Sequence, residues 1–388
     1  AKAAAGGATN AVAAIAWLGN EDLAAASAAV DFAIGNFLFQ SDQLEPAAVS
    51  YQAAIAKLPT FRNARKNLGR VYLLDDKATE STAICQALVE EGMADADVYL
   101  LLGHGLALGE HWVAAETAYR QVLLLKSDND DAMSGLTRCL VQQERYREAR
   151  SLLRTMLESD PDRQDLWSLL ANVDIALEKN DDAIQVLETA RRLDCCDATM
   201  LGLLGDLYLN AGRAAEAVAS YEAADSAGLQ DPARMLRAVE GLILIGAKTG
   251  AAAILDGLEG SAEILRTPAL KRRQLRLSSE LAAAQGNTKG AIALLRELIK
   301  QDPLDGKALL RLGEHLQSEG DLGAAELSYE RAERLDGMQA EALVHRAQLA
   351  VERERFDDAV DLLEAAEAIE SRPHVARYLS QVRRLAER

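Results

Sequence analysis

The chain has no run of 18 or more consecutive apolar residues, so no segment reads as a membrane-spanning helix. Proline is scarce, at 7 of 388 residues, and aromatic residues make up only 4%. The first shortage leaves helical stretches unbroken, and the second disfavours sheets, which draw on aromatic side chains. Only four cysteines occur: Cys85, Cys139, Cys195 and Cys196. They show no CxxC spacing, and two adjacent cysteines are poorly placed for an ordinary disulfide. Neither a disulfide framework nor a zinc site is expected. Basic charge is in deficit, with 42 Lys and Arg against 60 Asp and Glu, a net charge of −18. Such a chain repels nucleic acid and anionic lipid overall, and no nucleic-acid partner is expected.

Motifs that carry chemistry are missing too. HExxH does not occur, and no two of the five histidines (His104, His111, His315, His345 and His374) stand four apart on one helix face. GxSxG, the setting of an α/β-hydrolase serine, is absent. The stretch GLILIGAKTG, Gly241 to Gly250, imitates a phosphate-binding loop but has Ala247 where the lysine belongs. LLGHGLALG, around Gly103 and Gly105, is glycine-rich but has no strand before it to aim backbone amides at a phosphate. Asp181–Asp182 and Asp357–Asp358 fall at expected helix starts, where carboxylates favour the helix dipole without any catalysis. No cofactor, no metal and no enzymatic activity are expected.

What is abundant is alanine and leucine, and the alanine is periodic. Ala47, Ser81, Ala115, Ala149, Ala183, Ala217 and Ala251 stand in strict 34-residue register, and Ala291, Ala325 and Ala359 resume it after one insertion. A fixed period of this length in a helical sequence marks stacked helix–turn–helix repeats. With the alanine at position 20 of a 34-residue frame, position 8 is Gly35, Gly69, Gly103, Thr137, Ala171, Gly205, Val239, Ser279, Gly313 and Ala347. All but Val239 are small. Position 24 is always apolar or aromatic: Tyr51, Cys85, Tyr119, Leu153, Leu187, Tyr221, Leu255, Leu295, Tyr329 and Leu363. Two antiparallel helices approach closely where side chains are small, and larger residues fill the flanks. Gly212, Gly246, Gly286 and Gly320 sit near position 15, as suits the end of a first helix. Pro59, Pro161 and Pro303 follow second helices and stop them.

This pattern resembles the tetratricopeptide repeat family, which has small residues at 8, 20 and 27 and larger apolar ones at 4, 7, 11 and 24. The resemblance implies an all-α, right-handed superhelical solenoid of about ten repeats. They span 28–61, 62–95, 96–129, 130–163, 164–197, 198–231, 232–265, 272–305, 306–339 and 340–373. Residues 1–27 are expected to form an N-terminal capping region, with Ala13 and Trp17 at positions 20 and 24 of a partial repeat. Residues 28–265 then hold seven repeats, 266–271 an insertion, 272–373 three repeats, and 374–388 a C-terminal capping helix whose charged RRLAER suits a solvent-facing end. The repeat before the insertion, 232–265, is the weakest match.

The resemblance also implies a concave groove lined by first helices, with positions 2, 5, 9, 12 and 13 facing into it. Position 9 runs Asn36, Arg70, His104, Arg138 and Asn172, then Asp206, Glu240, Glu280, Glu314 and Gln348, changing from neutral or basic to acidic midway. Position 2 partly reverses this, with Asp97, Asp131 and Asp165 early and Arg273 and Lys307 late. One half is suited to an acidic stretch of a partner and the other to a basic one, a polarity that fixes a ligand's direction. The competing reading is that these charges pair across repeats and merely solvate the groove. The family's clamp for a C-terminal carboxylate is not reproduced. Asn36 and Asn67 match it, but Phe32, Asp97 and Leu101 replace its cations. Shifted by one repeat, Lys66 and Arg70 match while Asp131 and Gly135 fail. The basic cluster TPALKRRQLRL, Thr267 to Leu277, is expected to be a solvated loop and helix start.

The function expected is a scaffold that binds a protein or peptide partner without inserting into a membrane. Alternatives remain open. One is a homo-oligomer that stacks through its terminal helices. A second is an accessory subunit of a bacterial envelope machine, since LPTFRNARKNLGRVY, Leu58 to Tyr72, is similar over one repeat to proteins of TonB–ExbB systems. A third is the repeat portion of a longer enzyme. Compartment reads two ways. The start AKAAAGGATN, without Met, suits a mature envelope or periplasmic chain whose signal peptide was removed, although a trimmed chain looks the same. The unpatterned cysteines suit the cytoplasm.

Overall fold

The computed structural model describes residues 20–387, with side chains described from residue 25. Among the described residues there are 22 α-helices and no strand. The chain divides into two compact units, Ala1–Cys195 and Cys196–Arg388. The N-terminal unit holds α1 (Asn20–Gln40), α2 (Leu44–Lys57), α3 (Arg62–Leu74), α4 (Ala78–Glu90), α5 (Ala96–Leu108), α6 (Trp112–Leu125), α7 (Asp130–Gln142), α8 (Tyr146–Ser159), α9 (Gln164–Ala176) and α10 (Asn180–Arg192). The C-terminal unit holds α11 (Ala198–Asn210), α12 (Ala214–Ser226), α13 (Pro232–Leu244), α14 (Lys248–Gly257), α15 (Ala262–Arg266), α16 (Pro268–Ala284), α17 (Thr288–Gln301), α18 (Gly306–Ser318), α19 (Leu322–Glu333), α20 (Gln339–Glu352), α21 (Phe356–Ile369) and α22 (Pro373–Ala386).

Both units are solenoids of stacked helical hairpins. In the N-terminal unit each helix packs on the next, and the first helices α3, α5 and α7 also touch side by side. In the C-terminal unit the first helices pair the same way, α11 with α13, α13 with α16, and α18 with α20. The ten residues at frame position 20, nine alanines and Ser81, all have 0% exposure. The periodic small residue therefore marks the closest helix–helix contact in every repeat.

A second rule links positions 8 and 24. Where position 24 is tyrosine, position 8 is glycine, because the ring lies on the first helix where a Cβ would be. A Cβ on Gly35, Gly103, Gly205 or Gly313 would sit 2.3–2.7 Å from the ring of Tyr51, Tyr119, Tyr221 or Tyr329. Where position 24 is leucine, position 8 carries Thr137, Ala171, Val239, Ser279 or Ala347. The one valine on that list is thus no exception: it faces a leucine.

Two local expectations change. The helix turn at position 15 holds glycine only in the C-terminal unit. In the N-terminal unit it holds Asp42, Asp76, Glu110, Glu144 and Glu178, with φ of 56°, 55°, 60°, 58° and 59°. The basic cluster Thr267 to Leu277 is almost wholly helical, since α16 begins at Pro268, a residue whose fixed φ suits a first turn. Its Arg272 and Arg273 pair with Asp302 and Glu240. The weakly matching repeat has a shortened second helix, α14, followed by the five-residue α15.

At the N-terminal side, Ala13 and Trp17 lie outside the described residues. α1 runs unbroken from Asn20 to Gln40, so a boundary at residue 28 falls inside a helix. At the other end α22 buries Val375, Leu379 and Val382 against α20 and α21. It leaves His374, Arg377, Gln381 and Arg384 exposed.

Candidate interaction surface

None of the ten position-9 residues is buried; each is half-buried or exposed on its first helix. In the N-terminal unit the first-helix row comprises α3, α5, α7 and α9, whose position-9 residues are Arg70, His104, Arg138 and Asn172. Arg138 and Asn172 are exposed, and Arg70 and His104 half-buried. Among the described residues, Arg70, Arg138 and Asn172 form no hydrogen bond or ion pair. Beside them, Leu74 and Leu108 at position 13 are 57% and 60% exposed.

His104 is held from behind. The Tyr119 hydroxyl oxygen lies 3.0 Å from His104 Nδ1, and the two rings meet edge-on at 5.5 Å. Burial lowers its pKa below the usual histidine value; nearby Asp131 opposes that shift and Arg138 adds to it. The same arrangement recurs at two more of the position-24 tyrosines, whereas the Tyr329 hydroxyl donates instead to Gln317 Oε1 at position 12, at 3.1 Å. The Tyr51 hydroxyl donates to Asn36 Oδ1 at 2.8 Å, and the Tyr221 hydroxyl to Asp206 Oδ1 at 2.7 Å. Asn36 also accepts from Asn67 Nδ2 at 2.9 Å. Position 9 is thus partly structural: a buried tyrosine reaches through the hairpin to fix it.

The row's opposite end is largely neutralised. Lys66 Nζ lies 3.3 Å from Asp95 and 3.1 Å from Asp97, and Lys126 also reaches Asp97 at 3.4 Å. Asp165 binds Arg163 at 2.7 Å. Asp131 has no partner among the described residues.

In the C-terminal unit every position-9 carboxylate meets an arginine or a histidine on the next first helix. Arg234 Nε lies 3.3 Å from Asp206, and Arg273 Nη2 2.7 Å from Glu240. Arg311 pairs with Glu280, and His345 Nε2 lies 3.4 Å from Glu314 while its ring stacks on Tyr329. The acidic ridge is present, but three of its four carboxylates face arginines of the same array and the fourth faces His345. Pairing across repeats is one of the two readings of this ridge in sequence, and the sequence does not select it because the partners stand at position 3 (Arg234), 2 (Arg273) or 6 (Arg311, His345) of the following repeat, with no fixed offset to search for.

No group of three or more His, Cys, Asp or Glu is placed to hold a metal among the described residues. GLILIGAKTG spans the end of α13, a turn at Gly246 and the start of α14, with no strand before it. Gly103 and Gly105 lie inside α5 against Tyr119 and Thr82. Burial raises the Cys85 thiol to about 12 and Cys139 to about 11, values that keep both protonated and unreactive at neutral pH. No described helix is long and apolar enough to cross a membrane.

Two family models described as tetratricopeptide repeat match the sequence. One covers residues 110–173, and the other covers 168–232, 278–337 and 310–376. No curated protein matches the sequence. Among solved structures, the chain is similar to Naa15/Naa10 bound to HypK-THB, at 16% identity and a TM-score of 0.42, over 92% of this chain and 65% of that one. It thus spans slightly less than two-thirds of that chain's length. It is also similar to the C-terminal part of a TPR repeat-containing protein from Cytophaga hutchinsonii, at 13% identity and a TM-score of 0.48, over 62% of this chain and 97% of that one. A third is PilF of Pseudomonas aeruginosa, at 14% identity and a TM-score of 0.39, over 56% and 96% of the two chains.

Proposed function

The chain belongs to the tetratricopeptide repeat family, and from that premise we propose a non-catalytic scaffold that holds a partner protein segment on the first-helix row of its N-terminal unit. Repeats of this family bind protein partners and are generally not catalysts. One observation carries the finer reading. Among the described residues Arg70, Arg138 and Asn172 form no hydrogen bond or ion pair, whereas the acidic ridge of the C-terminal unit is matched by three arginines and His345 of its own array. A bound segment can satisfy the first set directly, but must break existing pairs to use Asp206, Glu240, Glu280 or Glu314. The latter serve the stacking of repeats first.

The test is crosslinking affinity capture from the native organism, with wild type beside Arg70→Glu/Arg138→Glu and Glu240→Gln/Glu280→Gln. A partner retained by the second variant and lost from the first, with helicity unchanged, supports the N-terminal row. Equal recovery by all three moves the interaction to another face.

A further inference from the structure

Resting on that reading of the row, we infer that its ligand is an extended segment carrying two acidic side chains about five or six residues apart, with apolar side chains nearby. The spacing follows from the fold. Arg70 on α3 and Arg138 on α7 belong to helices separated by α5. Neighbouring packed helices lie about 8–10 Å apart, so the two guanidinium groups stand about 16–20 Å apart along the row. An extended chain advances about 3.3 Å per residue, which gives the five or six.

Three features favour an extended segment over a helix. An amphipathic helix satisfies its own backbone groups and asks for a continuous apolar trough. This row instead offers Ser134, Arg138, Ser168 and Asn172, polar side chains with no hydrogen bond among the described residues. Such groups suit a backbone that still needs partners. Leu74 and Leu108 flank the row and provide seats for one or two apolar side chains only.

The surroundings restrict where the ligand's charges can sit. Unpaired Asp131 lies at one end of α7. Exposed Asp76, Glu110 and Glu144 stand at the turns beyond Leu74, Leu108 and Gln142. A uniformly acidic segment meets these carboxylates as well as the arginines, so the row selects a spaced pair rather than bulk negative charge. This ligand differs from a C-terminal carboxylate, since Asp97 and Asp131 stand where that recognition needs cations.

The probe is a set of fluorescein-labelled synthetic peptides of serine, threonine and leucine with two glutamates placed from about two to about twelve residues apart. Binding to the full chain is read by fluorescence anisotropy. The expected result is an optimum near five or six, weakened about tenfold in Arg70→Gln/Arg138→Gln, with polyglutamate weaker than the best pair. Arg70→Glu/Arg138→Glu should instead prefer the matching lysine-pair peptide, a gain that misfolding cannot produce. An optimum at about eleven or more, the helical equivalent, would overturn the extended conformation. A wild-type preference for lysine pairs, or no dependence on spacing, would overturn the acidic ligand. A photocrosslinker at Ser134, challenged with a random peptide library, separates the two readings. Capture of only neutral or basic peptides leaves the row as the binding face and removes the acidic inference. Capture of none removes both.

Discussion

The two units close the same helix turn with opposite chemistry. In the C-terminal unit Gly212, Gly246, Gly286 and Gly320 take φ of 71°, 77°, 77° and 82°. In the N-terminal unit Asp42, Asp76, Glu110, Glu144 and Glu178 adopt the left-handed region with side chains that disfavour it. A carboxylate at a helix C-terminus also opposes the macrodipole. The five described N-terminal turns therefore all carry a residue that costs more here than glycine, and Glu354 is the lone counterpart among the described residues of the C-terminal unit. The lesson is that a repeat frame specifies a backbone state, not a residue. The left-handed state persists because the packed hairpins on either side demand it.

The largest expected effect lies in a second contrast, at frame position 11. Asp174 is fully buried there, where every other repeat of either unit has an apolar or aromatic residue, such as Leu106, Leu140, Tyr208, Leu242 and Leu316. Arg150 donates to Asp174 Oδ1 and, at 2.6 Å, to Asp182, while Asp174 Oδ2 has no hydrogen-bond partner. Arg150→Met strands a buried carboxylate and should cost about 3–5 kcal/mol in urea unfolding. Arg150→Met/Asp174→Leu should recover wild-type stability or exceed it. If the single and double variants lose the same amount, the pair is not what holds this position.

Next in size is the glycine–tyrosine rule. Gly103→Ala places a Cβ 2.7 Å from the Tyr119 ring and should destabilise by about 1–3 kcal/mol. Gly69 is the glycine that faces no tyrosine; its Cβ would meet Cys85 Sγ at 3.4 Å. Gly69→Ala should therefore stabilise by about 0.5–1 kcal/mol through helix propensity. Equal effects of the two alanines in thermal unfolding would dissolve the rule.

The turns themselves come third. Glu110→Gly or Glu144→Gly should each stabilise by about 1 kcal/mol, and Gly246→Glu should destabilise by a similar amount. Denaturant midpoints that move in neither direction would mean the flanking hairpins absorb the strain.

The smallest effect is a pH dependence from His104. Its pKa in the folded chain lies below the unfolded value near 6.5, so the unfolded chain binds the proton more readily. The contribution is fully present above about pH 6.5 and is lost as pH falls through the folded value. His104→Gln should flatten that part of the stability profile; an unchanged slope would assign it elsewhere.

The hairpin framework was legible because it depends on spacing. Ala183 and Ala217 announce the closest contacts of their repeats by size alone, and both are fully buried. The surface was less legible. Arg70 and Arg138 could be placed on one row, but whether each was free depended on partners in other repeats. Glu240 and Glu280 look equally available in sequence, and only the structure brings Arg273 and Arg311 to them. Charge pairing depends on side-chain reach across helices, which a 34-residue frame does not encode. The left-handed turns were hidden for another reason: glycine advertises that conformation, whereas Glu110 and Glu144 adopt it without a signal.

The tyrosine and the glycine that receives it lie on opposite sides of a turn, and this sets where such an array can be cut and rejoined. A crossover between repeats keeps each pair intact. A crossover within a hairpin separates them: the helix of Ala171 joined to that of Tyr221 puts a methyl where the ring must lie. The reverse chimera, Gly205 opposite Leu187, leaves a void instead. The unit of exchange in this chain is therefore the whole hairpin, except after Tyr119, whose ring also lies 2.3 Å from where a Cβ on Gly135 of the following first helix would be.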